Sequence, residues 1–193
     1  LILEALLIVK SNFDEKHPDY VSTLNNLATN YLETGNFDKA IEIYTNVKDS
    51  RKEIFGEKHP EYANVLNNLA AVNISKGLYA ESAEEASIFY KEAERLFRQA
   101  LSIDQEILGE NHPEIAVDLN NLAELYSTMG KYNRAEPLFF EALKIDSIVY
   151  GVKSYNYGVT LNNISLMYSY LKNYSKAEEY AINANEIYLN VYG

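Results

Sequence analysis

Paired asparagines recur along the chain in the segment Leu-Asn-Asn-Leu-Ala or a close variant of it. Successive pairs are 42, 53 and 42 residues apart, and they are Asn25-Asn26, Asn67-Asn68, Asn120-Asn121 and Asn162-Asn163. A side-chain amide donates and accepts hydrogen bonds at once, as the binding of a peptide backbone requires. Because asparagine is a mediocre helix former, two in succession within a helix need a reason. The pattern predicts a ladder of amides for an extended peptide of loose sequence.

The two asparagines of each pair need not share a role. The second one, at positions 26, 68, 121 and 163, has two alternative roles, contact with a ligand or a hydrogen bond to the neighbouring repeat, because buried polar groups are usually satisfied within the protein. The first one, at positions 25, 67, 120 and 162, is the better candidate for contact with a ligand.

Three histidines, His17, His59 and His112, also share one place in the repeat. Stacked repeats would separate them by roughly two helix-packing distances of about 8–10 Å, whereas the ligands of one metal ion all lie about 2 Å from it. We therefore expect each to be a linker residue before a helix-starting proline. The sequence has no Gly-rich phosphate loop, nucleophile elbow or His-Glu-x-x-His motif. No catalytic, cofactor-binding or metal-binding residue is predicted, and the chain is not expected to be an enzyme.

The composition is acidic, with 28 Asp and Glu against 17 Lys and Arg and a formal net charge of −11. Nucleic acids and anionic membranes bind surfaces rich in Lys and Arg, so neither is expected as a partner. The absence of cysteine excludes disulfides and thiolate metal sites and fits a reducing compartment, so we expect a cytoplasmic protein.

The elements that must position the asparagines are pairs of helices, a helix A followed by a helix B. In the first full repeat Pro18 suits the first turn of helix A, Gly35 supplies a left-handed stop, and helix B runs from near Phe37 to Phe55-Gly56. Each helix has one apolar stripe, which must pack on a neighbour. The predicted boundaries are 17–58, 59–111, 112–153 and 154–193, preceded by the second half of an upstream repeat at 1–16, in a chain expected to be part of a longer protein.

The second repeat spans 53 residues instead of 42, and its helix A is predicted to end at Gly77. The extra eleven residues make about three helical turns and so preserve the helical phase. We therefore predict one long helix over about 79–108, roughly 45 Å at about 1.5 Å per residue. Its first turns would project and offer a second contact surface, or else pack on a neighbouring helix of the same array. That surface consists of Ala83, Ala86, Phe89 and Tyr90.

The whole pattern resembles the tetratricopeptide repeat. It combines Leu-Asn-Asn-Leu-Ala, a following Tyr, Gly-x-Tyr/Phe-x-x-Ala, an aromatic residue and a further Ala. The 42-residue period and the Gly-Glu-x-His-Pro linker are similar to the kinesin light chain-type subclass. The resemblance implies an all-α fold, a right-handed superhelical solenoid of antiparallel helix pairs, here with one helix B lengthened by about three turns. It also implies that helix A of each pair lines a concave groove that binds peptides or proteins.

By the family's register, the groove positions include no Lys or Arg, which family members use to capture a C-terminal carboxylate. We therefore expect no such clamp, and weak selection against basic ligands. The candidate groove residues are Asn25, Asn26, Thr29, Asn64, Asn67, Asn68, Asn120, Asn121, Glu124, Asn162, Asn163 and Tyr170.

These observations predict a non-catalytic scaffold whose partner is a protein or an extended peptide, with self-association left open. The alternative is a regulatory or sensor segment of a larger protein that carries an enzymatic effector domain outside this stretch.

Overall fold

The structure is a computed structural model that describes residues 17–192. Over that range the protein forms eight α-helices and no strand, so the predicted all-α fold class is confirmed. The half repeat predicted at 1–16 lies outside the described residues. The helices are α1 (Pro18–Glu33), α2 (Phe37–Phe55), α3 (Pro60–Leu78), α4 (Ala83–Leu108), α5 (Pro113–Thr128), α6 (Tyr132–Val149), α7 (Tyr155–Tyr170) and α8 (Tyr174–Tyr192).

The chain divides into two compact units, Leu1–Ile103 and Asp104–Gly193. In the first unit α1 packs on α2, and α3 packs on both of them. In the second unit α5 packs on α6, α7 packs on both of them, and α8 packs on α7. Each unit thus places two consecutive A helices side by side.

The Leu-x-x-Leu-Ala part of the recurring segment supplies the contacts between helices. Ala28, Ala70 and Ala123 are fully buried, and the leucines before them are buried as well. Because side chains three and four apart share one face of a helix, the asparagines between these leucines fall beside the buried stripe. The apolar packing of each A helix therefore fixes the position of its amides.

The three histidines begin helices. The Nδ1 atom of His17, His59 and His112 accepts a hydrogen bond from the backbone N–H two residues later, at 3.2, 3.1 and 3.3 Å. Each is followed by a proline that occupies the first helical turn. Histidine and proline together satisfy or remove backbone donors that a helix start leaves unpaired, so the histidines cap helices as well as link them.

The last turns of α5 and α7 end in the same way on different residues. Gly130 ends α5 with a φ of 70°, and Lys172 ends α7 with a φ of 59°. In both, the next backbone N–H donates to the carbonyl five residues back, at 2.8 Å for Lys131 to Tyr126 and 2.9 Å for Asn173 to Tyr168. This Schellman geometry needs the left-handed conformation that glycine adopts without strain.

The long helix starts four residues later than predicted. Helix α3 continues through Gly77 to Leu78, and α4 begins at Ala83 rather than near position 79. The turn between them is stabilised by Ser82, whose hydroxyl accepts from the Glu85 backbone N–H at 3.1 Å, and by the Glu85 carboxylate, which accepts from the Glu81 N–H at 3.0 Å. This arrangement is close to a capping box, and it starts a helix of 26 residues.

Candidate functional site

A pocket of about 460 Å³ lies between α5 and α7 in the second unit. This volume falls in the range of about 300–1,000 Å³ that is usual for ligand sites. Most of the lining belongs to the two A helices, and α6 contributes one acid. The lining residues are Val117, Asn120, Asn121, Glu124, Asp146, Tyr155, Asn156, Val159, Thr160 and Asn163.

Three of these side chains form a hydrogen-bonded chain, which we call the polar floor. The Asn120 amide nitrogen donates to the Thr160 hydroxyl at 2.8 Å and to the Ala116 carbonyl at 3.0 Å. The Thr160 hydroxyl in turn donates to the Asp146 carboxylate at 2.7 Å. Thr160 and Asp146 are 1% and 3% exposed. The polar floor therefore connects α5, α7 and α6 through side chains that are largely shielded from water.

The pKa values of the two acids of the pocket, Asp146 and Glu124, are both raised. Burial raises the pKa of Asp146, and the hydrogen bond from Thr160 offsets part of that rise. Loss of surrounding water also raises the pKa of Glu124, although part of this side chain still reaches solvent. A nearby cation would have lowered these pKa values, and no Lys, Arg or His is among the described lining residues.

Asn121, Asn156 and Asn163 line the same pocket with amides that make no side-chain hydrogen bond within residues 17–192. In this unit the first asparagine of the pair, Asn120, carries the contact between repeats, and the second one is open to a ligand. Of the predicted groove residues, the structure brings Asn120, Asn121, Glu124 and Asn163 into this one pocket.

In the first unit several of the predicted groove residues bond to one another or to a neighbouring helix. The Asn68 amide donates to the Asn25 side chain at 3.1 Å. Thr29 lies 2.8 Å from the Tyr44 hydroxyl. These contacts tie α1 to α3 and to α2.

Asn64 accepts a hydrogen bond at 3.2 Å from the buried guanidinium of Arg51. The same guanidinium donates to the Glu61 carbonyl at 2.7 Å and pairs with the Glu61 carboxylate at 3.1 Å. A cation supplied by the chain itself thus satisfies the acceptors at this junction between α2 and α3.

The remaining predicted groove residues stand apart from the pocket. Asn26, Asn162 and Tyr170 are exposed, Tyr170 at 64%, and Asn67 is half-buried.

The predicted second contact surface is divided by the structure. Tyr90 packs against Gly77 of α3, and the Phe89 ring lies 4.9 Å from the Lys76 ammonium, also on α3. Ala83 is exposed and Ala86 half-buried. Half of this surface is therefore covered by a neighbouring helix of the same unit.

Sequence reasoning missed Asp146 and Thr160, the buried part of the polar floor. A signal was present: Leu-x-Ile-Asp occurs at Leu101–Asp104 and again at Leu143–Asp146, 42 residues later. An acid that returns in the apolar stripe of a helix indicates a buried polar contact, because an unpaired buried carboxylate is costly.

Within residues 17–192, no group of three or more acidic or histidine side chains is placed to hold a metal ion. None of the helices in that stretch combines the length and the apolar character needed to cross a membrane.

Comparisons with known proteins agree with this architecture. Family models described as tetratricopeptide repeat match residues 1–47, 19–86 and 89–148, and a further one matches 159–193. No curated protein matches the chain.

Three solved structures are similar over nearly the whole chain. The crystal structure of BtubC (BKLC) from P. vanneervenii is 25% identical, covering 100% of this chain and 72% of its own, with a TM-score of 0.75. A Podosopora anserina kinesin light chain-like protein with nearly identical TPR-like repeats is 18% identical, covering 99% and 85%, with a TM-score of 0.71. MamA is 17% identical, covering 98% and 87%, with a TM-score of 0.57.

Proposed function

Because the chain belongs to the tetratricopeptide repeat family, we propose that it is a non-catalytic scaffold that binds an extended segment of a partner protein at its A helices. The family and the similar structures support a role in protein interaction. The proposal adds the place, which is the pocket between α5 and α7.

The observation that carries the proposal is the set of amides of Asn121, Asn156 and Asn163, which line one pocket without a side-chain hydrogen bond in the described chain. An amide offers both a donor and an acceptor, which matches the alternating C=O and N–H groups of an extended backbone. The polar floor holds α5 and α7 together, so the amides are presented on a preformed surface and little ordering cost falls on binding.

The test is selection of binders from a random-sequence peptide library displayed on phage, followed by anisotropy titration of the selected peptides. The variant Asn121→Ala/Asn163→Ala is expected to bind them about 30-fold more weakly, because it loses two net hydrogen bonds that contribute about 1 kcal/mol each. Asn133→Ala, an exposed asparagine on α6 outside the pocket, is the matched control and should bind as the unaltered protein does. Selected peptides that bind the pocket variant with full affinity would place the site elsewhere.

A further inference from the structure

The side chains of the polar floor use all of their donors within the protein. The Asn120 amide nitrogen is engaged by Ala116 and Thr160, and the Thr160 hydroxyl hydrogen is engaged by Asp146. The other atom of the Asn120 amide, Oδ1, is buried and has no donor among the described residues. A ligand group that reaches the floor therefore meets acceptors: the Asn120 carbonyl and the Asp146 carboxylate.

The charge of the pocket points the same way. It contains the carboxylates of Asp146 and Glu124 and no basic side chain among its described lining residues. A carboxylate that is partly desolvated without a cation is poorly stabilised, and a ligand cation would supply what is missing. A metal ion is the weaker candidate, because the described residues include no group of three carboxylate or histidine ligands.

The walls are apolar where the floor is acidic. Val117 and Val159 line the pocket, with Val117 46% exposed, and Tyr155 adds an aromatic ring that is 48% exposed. An apolar wall above a charged floor suits the long side chains of lysine and arginine, which pack a hydrocarbon stem and keep a cation at the tip. An exposed aromatic ring also attracts cations.

In the first unit, similar acceptors are already satisfied by a cation of the chain. At the junction of α2 and α3 the acceptors of Glu61 and Asn64 are met by the guanidinium of Arg51, which the chain itself supplies. Asp146 stands at the corresponding place of the third repeat, at the end of α6. An acid therefore occupies the position at which the first repeat places a cation.

We propose that the pocket between α5 and α7 binds a lysine or arginine side chain of the partner peptide, with the cation on Asp146, Glu124 and the Asn120 carbonyl and the stem between Val117 and Val159. The inference rests on the proposed function, since it names the ligand class of the same site. It differs from the weak selection against basic ligands expected from the sequence, because it assigns a positive preference for basic residues.

The test uses synthetic peptide mixtures in which one central residue is fixed as lysine, arginine, norleucine or glutamate and the flanking positions are randomised. Binding is measured by fluorescence anisotropy at pH 8. The lysine and arginine mixtures are expected to bind about tenfold more tightly than the norleucine mixture, as charge-assisted hydrogen bonds predict. The glutamate mixture is expected to bind most weakly.

The same mixtures are titrated against Asp146→Asn and Glu124→Gln. Both changes preserve shape and remove charge, and Glu124 is exposed, so its substitution leaves folding intact. Each should reduce the preference for lysine over norleucine, measured as the ratio of the two affinities on the same variant, at least threefold. Glu141→Gln, an exposed acid on α6 outside the pocket, controls for the net charge of the protein and should retain the preference.

Three outcomes overturn the inference. Equal binding of lysine and norleucine mixtures to the unaltered protein removes the cation preference and leaves peptide binding standing. Equal loss of preference in Glu141→Gln assigns the effect to net charge. Failure of every mixture to bind contradicts the proposed function and this inference with it.

Discussion

The side-chain amide of Asn68 on α3 donates a hydrogen bond to the side-chain oxygen of Asn25 on α1, with 3.1 Å between the two atoms. The second asparagine of one repeat thereby contacts the first asparagine of the repeat before it. Both side chains are half-buried, so the bond is shielded from water on one side. Asparagine at these two positions therefore has a structural role in the first unit.

Removal of this bond should lower stability, and the effects of changing its two partners should be coupled. Asn25→Ala and Asn68→Ala are each expected to cost about 1 kcal/mol of unfolding free energy, and the double variant less than their sum, because the second change removes a partner already lost. Urea titration of the four proteins measures the coupling. Strict additivity of the two losses would show that the bond contributes nothing.

Gly77 is a buried glycine inside α3. Its replacement by alanine should change the stability of the protein in a direction that depends on Tyr90. A Cβ at position 77 would lie 2.5 Å from Cε1 of the Tyr90 ring. Gly77→Ala is therefore expected to destabilise the protein by about 1–3 kcal/mol, as overpacking does. In a Tyr90→Ala background the same change should stabilise it by up to about 1 kcal/mol, the helix preference of alanine over glycine.

Thermal and urea unfolding of the four proteins in that cycle measure the two effects. A stabilising effect of Gly77→Ala in the presence of Tyr90 would mean that the ring moves aside without cost.

Lys172 and Gly130 end α7 and α5 at equivalent places, both with positive φ. Lys172→Gly is expected to raise the unfolding free energy by up to about 1 kcal/mol, because a side chain in the left-handed region costs about 1–2 kcal/mol. The greater conformational entropy of glycine in the unfolded state offsets the rest. The reciprocal variant, Gly130→Lys, should lower stability by a similar amount. Changes of equal sign in the two urea midpoints would contradict the assignment.

Asp104 should make the protein less stable as the pH rises. It is 3% exposed and hydrogen-bonded to Asp118, itself 1% exposed, and burial raises its pKa from 3.8 to about 6. A bond between two carboxyl groups requires one of them to hold a proton, because an ionised carboxylate only accepts. Since the folded pKa lies above the unfolded one, the stabilisation is complete below about pH 4 and is lost as the pH rises towards and through 6.

Asp104→Asn removes this titration. The variant is expected to gain on the order of 2 kcal/mol over the unaltered protein at pH 7.5 and much less at pH 4.5. Urea midpoints at the two pH values measure the difference, with Glu141→Gln as an exposed control. A gain that is the same at both pH values would show that Asp104 keeps its ordinary pKa in the fold.

The sequence was most informative where one local signal decides a helix end. His-Pro predicts the starts of α1, α3 and α5, because proline fixes the first turn, and the glycines at 35 and 130 predict the stops of α1 and α5. Gly77 failed as a stop. The ring of Tyr90 occupies the space beside it, and this tertiary contact cannot be read from helical spacing.

The start of α4 was misplaced because the apolar spacing of the duplicated segment continues back to Tyr79. That spacing reports which residues share a face, and it does not report where the helix begins. The Ser82-x-x-Glu85 cap was the competing signal, and it determines the start.

The asparagine pairs were correctly expected in helices beside the buried stripe. The sequence could not tell which asparagines bond to a neighbouring helix and which are left for a ligand. Asn120 bonds Thr160, which belongs to a different repeat 40 residues away, and only the packing of α5 on α7 brings the two together. The partner of each amide is a property of the assembled helices.

The position of Arg51 in the first repeat is occupied by Asp104 and Asp146 in the next two repeats. On the helix that follows, Arg51 contacts Glu61 and Asn64, Asp104 contacts Asp118, and Asp146 contacts Thr160. Copies so similar in outline could exchange places during folding or between molecules, as identical modules in a tandem array do. These unlike junctions act against such shuffling, since a helix docked one copy out of order would bury an ion beside the wrong neighbour. The buried side chains at these junctions thereby favour one order of packing for the repeats.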